Sequence, residues 1–314
     1  MNKLAVVAFG GNALLRSNQK GTISEQEANV YETCTHLVDL IKKGYDIVIG
    51  HGNGPQVGNV LLQHDAGEKT YGIPKLPIDV CVAETQGSIG YMIEQQLRNV
   101  LYKEDMERDI ITMITQVLVD KHDPAFENPT KPIGPYYSKE EAERINLEKG
   151  DKFAEDPRGR GWRKVVASPR PVRINNRKTI EKIARDGQIV VAVGGGGIPV
   201  HYVEGKKLEG IDAVIDKDLA SSMLASQIRA DEFYILTDIS KVYINFNKPN
   251  QKALDRITVK EAKQYLSEKQ FTEGSMAPKI RAAIEFIENG GKRCIITQAE
   301  ELGKPDCGTR IVLN

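Results

Sequence analysis

Short apolar runs alternate with longer amphipathic stretches through most of the chain. Three of these runs end in a glycine-dense loop: LAVVAFGGNA (residues 4–13), DIVIGHGNGPQ (46–56) and IVVAVGGGGIPV (189–200). Runs of β-branched residues that end in glycine are typical of buried parallel strands. Glycine lets the backbone approach a ligand closely, so that N–H groups can point at an anion. Three such loops favour a phosphate site at the carboxyl edge of a sheet over three ordinary tight turns.

Helical patterns separate the predicted strands. Thr22-Ile-Ser-Glu25 has the sequence of a capping box, and the helix that follows it ends at Gly44. Further helices are predicted over residues 55–65, 83–104 and 177–186, and a strand is predicted over residues 110–119. Because strands and helices alternate, we predict an α/β fold with three layers, in which helices cover both faces of an open, mostly parallel sheet.

Residues 120–172 interrupt this alternation. They contain half of the 14 prolines of the chain, a charged helical stretch at 139–149 and the run RGRGWRK at 158–164. This composition predicts an insertion that protrudes from the sheet. Long ordered insertions often carry function, so we favour a lid over the site rather than a surface excursion without chemistry.

Composition and charge narrow the class of protein. The 314 residues are 40% hydrophobic and 27% charged, which suits a soluble enzyme of one large domain or two lobes. The formal net charge is zero, with 43 basic and 43 acidic side chains, which argues against nucleic-acid binding through bulk charge. The chain has no apolar run of membrane-spanning length and no signal-peptide pattern at its start. We expect a cytoplasmic protein that binds neither nucleic acid nor membrane.

The cysteines give no sign of a metal site in the sequence. None is paired at C-x-x-C spacing, and His51 and His201 are far from them along the chain. We therefore expect no protein-bound metal and reduced, mostly buried thiols, as in a cytosolic protein. The four cysteines are Cys34, Cys81, Cys294 and Cys307.

Two segments of the second half place lysines near predicted helix starts. Asp216 can be a simple N-cap, but Lys217 and Asp218 can also face the ends of the strands. Pro278 suits a first helical turn, which puts Lys279 where a helix favours anions. A lysine there is unfavourable unless a negative group is near, so the position indicates phosphate binding by Lys279.

Common nucleotide-binding motifs do not occur. The sequence contains no G-x-x-x-x-G-K-[ST], which excludes a P-loop enzyme. No G-x-G-x-x-G follows any of the three strands, which disfavours a dinucleotide-binding oxidoreductase. The protein-kinase motifs are missing as well.

Several segments together resemble the carbamate kinases, a group within the amino acid kinase family. The similarity runs from about Lys3 to the end of the chain, and NPTKPIGPYY and RGWRKVV of the insertion resemble carbamate kinases rather than their relatives. The segments that carry it are GGNA, HGNGPQVGN, TQGSIGY, NPTKPIGPYY, RGWRKVV, GGGGIPV, IDAVIDKD and GSMAPK.

The resemblance implies the Mg²⁺-dependent reaction ATP + carbamate ⇌ ADP + carbamoyl phosphate. It implies that ATP is often the useful product, made during breakdown of arginine, agmatine or other ureido compounds. It also implies two lobes. Residues 1–210, including the insertion, would bind the acceptor and form a homodimer, and residues 211–314 would bind the nucleotide.

The resemblance also assigns site residues. The catalytic group would be Lys131, Lys217, Asp218 and Lys279, with Asp218 orienting the lysines and Lys131 reaching the acceptor from the lid. The acceptor and the transferring phosphoryl group would be held by Gly10, Gly11, Asn12, Gly52, Asn53 and Gly54. The nucleotide would contact Thr237, Asp238, Tyr243, Met276 and Pro278, above a floor formed by strands 233–238 and 242–246. His51 is interpreted as a packed loop residue rather than a base.

Two alternative functions remain. One is a related kinase for a larger acid, such as an N-acetylamino acid, although a lid that carries Lys131 leaves little room for it. The other is a catalytically silent nucleotide-binding regulator, which the presence of all four predicted catalytic residues disfavours.

Overall fold

The computed structural model describes residues 2–16, 18–156 and 159–314. The helices are α1 (Ile23–Lys42), α2 (Gly54–Tyr71), α3 (Ile78–Lys103), α4 (Lys139–Lys149), α5 (Arg177–Arg185), α6 (Lys217–Gln227), α7 (Val259–Ser267) and α8 (Met276–Glu288). The strands are β1 (Leu4–Phe9), β2 (Asp46–His51), β3 (Ile110–Thr112), β4 (Gln116–Val119), β5 (Lys131–Tyr137), β6 (Phe153–Glu155), β7 (Trp162–Val166), β8 (Pro171–Ile174), β9 (Ile189–Val191), β10 (Ile198–Tyr202), β11 (Leu208–Gly210), β12 (Glu232–Leu236), β13 (Val242–Ile244), β14 (Lys252–Leu254), β15 (Arg256–Thr258), β16 (Arg293–Thr297) and β17 (Thr309–Val312).

An eight-stranded sheet forms the middle layer. Its order is β15-β17-β16-β12-β1-β2-β9-β3, and every pair is parallel except β16 with β17. Alternate residues of β1 enter two different cores because successive side chains of a strand point to opposite faces. Val6 lies in one core with residues of α5, α6 and α8, and Val7 lies in the other with residues of α1 and α3. The predicted three-layer fold is confirmed.

The three glycine-dense loops follow adjacent strands. In the sheet, β1 lies beside β2, and β2 lies beside β9, all in parallel. Phe9 is opposite His51, and Ile49 is opposite Val191, so the strands end at the same edge. The loops therefore meet at the carboxyl edge of the sheet, where ligands of open α/β sheets bind.

The insertion leaves the body through β4 and returns through β8, which pair antiparallel. It contains α4 and a separate three-stranded sheet in the order β5-β7-β6. The insertion rests on α2, where a Cβ atom on Gly58 would lie 2.0 Å from the Cα atom of Gly134. Lys149 of α4 also binds Asp65 of α2, with 2.6 Å between Nζ and Oδ2. Pro157 and Arg158 of the predicted insertion lie outside the described residues.

The single strand predicted over residues 110–119 is wrong. β3 pairs with β9 in the main sheet, whereas β4 pairs with β10 in a second sheet of order β11-β10-β4-β8. Thr115 lies between the two strands, and its backbone N–H donates to Oε1 of Gln86 at 2.9 Å. This buried side-chain bond replaces a strand bond, and the apolar run gave no sign of the change of sheet.

Other local predictions agree with the structure. Thr22 and Glu25 form the predicted capping box of α1. None of the helices in the described ranges is long and apolar enough to cross a membrane. The division into lobes at residue 210 stays a prediction.

Candidate active site

Asp218 binds two lysines at the start of α6. Its Oδ1 accepts from Nζ of Lys217 at 2.8 Å, and its Oδ2 accepts from Nζ of Lys279 at 2.7 Å. Lys279 reaches it from the first turns of α8. The three side chains are 4%, 13% and 15% exposed, so this is a desolvated cluster rather than a surface ion pair. A lysine at the start of a helix is unfavourable unless a negative group lies nearby. In the protein without ligand, Asp218 is that negative group for Lys279.

Asp216 has two roles. Its Oδ1 accepts from the backbone N–H groups of Asp218 and Leu219, which makes it the N-cap of α6. Its Oδ2 accepts from Nζ of Lys131 at 2.7 Å. The predicted capping role is correct, and the ion pair with the insertion adds to it.

The charges of this cluster perturb one another. Burial alone would raise the pKa of Asp218, but the ammoniums of Lys217 and Lys279 hold that pKa well below its usual range. In the same way, Lys131 outweighs burial and lowers the pKa of Asp216. Burial lowers the pKa of Lys217, whereas Asp218 outweighs burial at Lys279 and raises its pKa. Three ammoniums face two carboxylates, which leaves a net positive charge suited to an anion.

A cleft of about 530 Å³ opens over this cluster. The loop after β1, the start of α6, the end of β12 and the start of α8 form its walls. Its lining includes Gly10, Gly11, Asn12, Arg16, His36, Lys131, Lys217, Asp218, Thr237, Asp238, Ser275, Pro278, Lys279 and Gln298.

A second cavity of about 160 Å³ adjoins the cleft. The two cavities share Gly11, Lys131 and Lys217 as lining residues. A Cβ atom on Gly52 would lie 3.2 Å from Cδ of Lys217, so glycine leaves room for the lysine to pass. The remaining lining of the second cavity is Leu14, Leu15, Gly52, Asn53, Gly54, Pro55, Gln56, Gly195 and Ile215. A small ligand here and a larger one in the cleft would meet at the two lysines.

Buried polar side chains hold the loops around the smaller cavity. Asn53 donates through Nδ2 to Oγ1 of Thr85 at 2.9 Å. Gln86 donates through Nε2 to the carbonyl of Gly194 at 2.9 Å. Burial lowers the pKa of His51 to about 4, and its Nδ1 lies 3.0 Å from the carbonyl oxygen of Gly52. His51 is thus packed, as expected from the sequence, although it is the last residue of β2 rather than a loop residue.

The profile of the amino acid kinase family matches residues 3–298. The chain belongs to the amino acid kinase family. It is 50% identical over 301 residues to the carbamate kinase of Pyrococcus furiosus, which covers 96% of this chain and 95% of the relative. It is 49% identical to the carbamate kinase of Thermococcus kodakarensis, with 99% of both chains covered. The resemblance to carbamate kinases expected from the motifs is confirmed.

Solved carbamate kinases have the same fold. The Giardia lamblia enzyme bound to citric acid superposes with a TM-score of 0.93 at 40% identity, covering 100% of this chain and 99% of that one. The same enzyme bound to AMP-PNP gives a TM-score of 0.90 at 41% identity, with the same coverage. The similarity to these amino acid kinases extends over the insertion as well as the sheet.

The structure brings together most, but not all, of the residues predicted from the family. Thr237, Asp238 and Pro278 line the cleft. Among the described lining residues of the cleft, Tyr243 and Met276 do not occur. Tyr243 packs on Phe246 with ring centroids 6.3 Å apart, and Met276 packs against the core.

The predicted floor of the nucleotide pocket, residues 233–238 and 242–246, stays a prediction. β12 belongs to the main sheet, whereas β13 pairs with β14 in a separate two-stranded sheet. Both segments are apolar, and the sequence could not tell that they belong to different sheets.

Sequence reasoning missed the supporting residues of the site. The ion pair of Asp216 and the bonds of Thr85 and Gln86 were not predicted, although both latter residues stand in the quoted TQGSIGY motif. Arg16, His36 and Gln298 also line the cleft and carried no sequence signal.

Proposed function

We propose that this chain is a carbamate kinase that transfers a phosphoryl group reversibly between ATP and carbamate. The observation that carries the proposal is the pair of adjoining cavities that share Lys131 and Lys217. The larger cavity suits a nucleotide and the smaller one suits an acceptor of a few atoms. The carbamate kinases to which the chain is similar support the choice of acceptor.

Each cavity has a proposed occupant. The nucleotide phosphates lie beside Lys279 and the Gly10–Asn12 loop, with Thr237, Asp238 and Pro278 toward the nucleoside. Carbamate lies beside the Gly52–Gly54 loop and Lys131. Lys217, which borders both cavities, faces the phosphoryl group as it passes between them.

The chemistry requires charge and position rather than a base. A carbamate oxygen attacks the γ-phosphorus of ATP, the new P–O bond forms, and the bond to the ADP oxygen breaks, without transfer of a proton. Phosphoryl transfer is accelerated chiefly by in-line positioning and by neutralisation of charge on the equatorial oxygens. The ammoniums of Lys217 and Lys279 supply that charge, and Asp218 fixes both of them. His51 is neutral, because burial lowers its pKa to about 4, and it holds the loop.

The donor groups of the cleft fit a Mg²⁺ ion that is held chiefly by the nucleotide. Mg²⁺ prefers oxygen ligands and is usually bound through one or two carboxylates plus substrate phosphates. Asp216 and Asp218 already accept from lysines, whereas the carboxylate of Asp238 is exposed in the cleft. Glu32 pairs with Arg16. Of the remaining exposed carboxylates, Asp238 and Glu300, Asp238 acts on the ammonium of Lys279 and so would hold the ion. When bound, Mg²⁺ neutralises charge on the phosphate oxygens.

We also propose a homodimer formed through the N-terminal lobe. β3 is an edge strand of the main sheet, and apolar side chains lie exposed around it. Ile111 is 38% exposed and Ile114 is 50% exposed, while Tyr91 of α3 is 63% exposed. Sedimentation at micromolar concentration tests this, and a monomer would refute it.

The four cysteines are free and buried, which supports the proposed cytoplasmic location.

In the cell, we propose that the enzyme makes ATP from carbamoyl phosphate during catabolism of arginine or other ureido compounds. Carbamoyl phosphate is a strong phosphoryl donor, so its reaction with ADP runs readily toward ATP. The cluster of Lys131, Lys217 and Lys279 around Asp216 and Asp218 fits small anionic substrates.

A coupled assay tests the function. Purified protein with Mg²⁺, ADP and carbamoyl phosphate should form ATP, whereas acetylglutamate with ATP should give no acyl phosphate. If protein that circular dichroism shows to be folded forms no ATP from ADP and carbamoyl phosphate, the proposal is contradicted. Turnover of acetylglutamate would indicate the larger-acid kinase, and nucleotide binding without any turnover would indicate the silent regulator.

A further inference from the structure

Three side chains with metal-binding atoms meet outside the cleft, where α2 packs against α3. His64 belongs to α2, and Cys81 and Glu84 belong to α3. Their ligand atoms all lie within 4.8 Å of one another. Nε2 of His64 is 3.1 Å from Oε2 of Glu84. Within residues 2–16, 18–156 and 159–314, no second group of three such residues is this close.

The separations suit a tetrahedral ion. Bonds of about 2.0–2.3 Å to nitrogen, oxygen and sulfur place the ligand atoms of a tetrahedral zinc site roughly 3.3–3.7 Å apart. Cys81 and Glu84 are three residues apart on one helix, so they lie on the same face. His64 comes from the preceding helix, and the three atoms, now within 4.8 Å of one another, would have to draw together by side-chain rotation to reach these distances.

One side of the three-residue group is buried and apolar, and the other side is exposed to solvent. Cys81 is fully buried, and it packs in an apolar cluster with Val57 and Val82. Glu84 is 43% exposed and His64 is 23% exposed, so these two ligands are open to solvent. A thiolate and an imidazole favour zinc-like ions over Mg²⁺.

We propose that His64, Cys81 and Glu84 form a site for Zn²⁺ or a similar transition-metal ion. The ion replaces the proton of the Cys81 thiol, which passes to solvent, and a water completes the coordination. The expectation from sequence that the cysteines bind no metal considered only spacing along the chain. The proposal rests instead on three side chains that two helices bring together.

The site would fasten the two helices that support the acceptor cavity. α2 begins at Gly54, and Thr85, which follows Glu84, binds Asn53 of the same loop. An ion that bridges α2 and α3 should therefore stabilise the fold, by an amount that grows with the logarithm of its concentration over its dissociation constant. The proposal does not depend on the reaction that the cleft catalyses.

Co²⁺ is the probe for the first experiment. The full chain, reduced and stripped of metal, should bind one equivalent of Co²⁺ with a thiolate-to-cobalt charge-transfer band in the near ultraviolet. Zn²⁺ should remove the band, and excess Mg²⁺ should not. Cys81→Ser should abolish the band, because a hydroxyl gives no such transition. No band in the wild type, or an unchanged band in Cys81→Ser, would overturn the proposal.

Because the Cys81 variant changes a buried residue and could misfold, two variants of the less buried ligands give a second test. His64→Gln and Glu84→Gln should each weaken Co²⁺ binding by at least about tenfold, since a tetrahedral site loses a ligand. His122→Gln, which changes an exposed histidine of the insertion, is the matched control and should bind Co²⁺ like the wild type. Zn²⁺ should raise the melting temperature of the wild type and of His122→Gln but not of His64→Gln. Unchanged Co²⁺ affinity in both ligand variants would also overturn the proposal.

Discussion

Nζ of Lys131 lies 2.7 Å from Oδ2 of Asp216, although 85 positions separate the two residues in the chain. The bond joins the insertion to the N-cap of α6, the helix that begins with Lys217 and Asp218. In the protein without ligand, Asp216 accepts a hydrogen bond from the Lys131 ammonium, the group that we propose contacts the acceptor. An ammonium has three N–H donors, so Lys131 can bind Asp216 and, as we propose, a carbamate or phosphoryl group at the same time.

Lys131→Ala should impair use of carbamoyl phosphate much more than binding of ADP. The KM for carbamoyl phosphate should rise and kcat should fall, by about 10²-fold together, because one preorganised donor is lost. Calorimetric ADP affinity should stay within about twofold, since the effect lies at the acceptor. Lys139→Ala, on exposed α4, is the matched control within the insertion. A tenfold loss of ADP affinity with steady kinetics would place the insertion in the nucleotide site instead.

Lys279→Met should lower kcat by roughly 10²–10³-fold, because its ammonium stabilises charge in the transition state. The sequence alone suggests equal or higher stability, because an unfavourable cation leaves a helix start. The structure reverses that expectation: Asp218 loses a buried partner, so the free energy of unfolding should fall by about 1–3 kcal/mol. Urea unfolding and steady-state kinetics measure the two effects. Lys263→Met, which removes an exposed ion pair, should change neither, and more than half the activity in Lys279→Met would refute the catalytic role.

Gly58→Ala should move the insertion. The new methyl group would lie 2.0 Å from Cα of Gly134, which is backbone and cannot rotate away. We expect an unfolding free energy lower by about 1–3 kcal/mol and a reduced kcat/KM for carbamoyl phosphate. Gly67→Ala is the control on the same helix, where an added Cβ meets nothing within 4 Å, and it should stabilise the protein by about 0.5–1 kcal/mol. Equal activity in the two variants would show that contact with α2 does not position the insertion.

Asp218→Asn should destabilise the protein in a way that depends on pH. The pKa of Asp218 is lower in the folded protein than in the unfolded chain, where it is about 3.9. The charge of Asp218 therefore stabilises the fold fully above about pH 4, and this stabilisation is lost as the pH falls toward the folded-state pKa. At pH 7 the variant should be less stable by about 3–5 kcal/mol, because two buried ammoniums lose their carboxylate. The gap from the wild type should be constant between pH 5 and 7 and should narrow below about pH 4. Urea unfolding at several pH values tests this, and a gap that widens in acid would contradict it.

The sequence by itself determined most of the local elements, the fold class and the family. β-branched runs that end in glycine identified β1, β2 and β9, and the pair Thr22 and Glu25 identified the start of α1. These signals work over a few residues, because caps, turns and side-chain periodicity depend on near neighbours. The family motifs added Lys131, Lys217 and Lys279, and all three line the cleft.

Only the tertiary structure decided which distant groups touch. It split residues 110–119 between two sheets, paired Lys131 with Asp216, and placed Gly58 against Gly134. It also brought His64 close to Cys81 and Glu84 of α3. Such contacts form when whole elements pack, because the position of each helix and strand minimises the free energy of the entire core rather than of its own segment. A local pattern holds no information about that sum, so the partners across the sheet and the insertion could not be read from it.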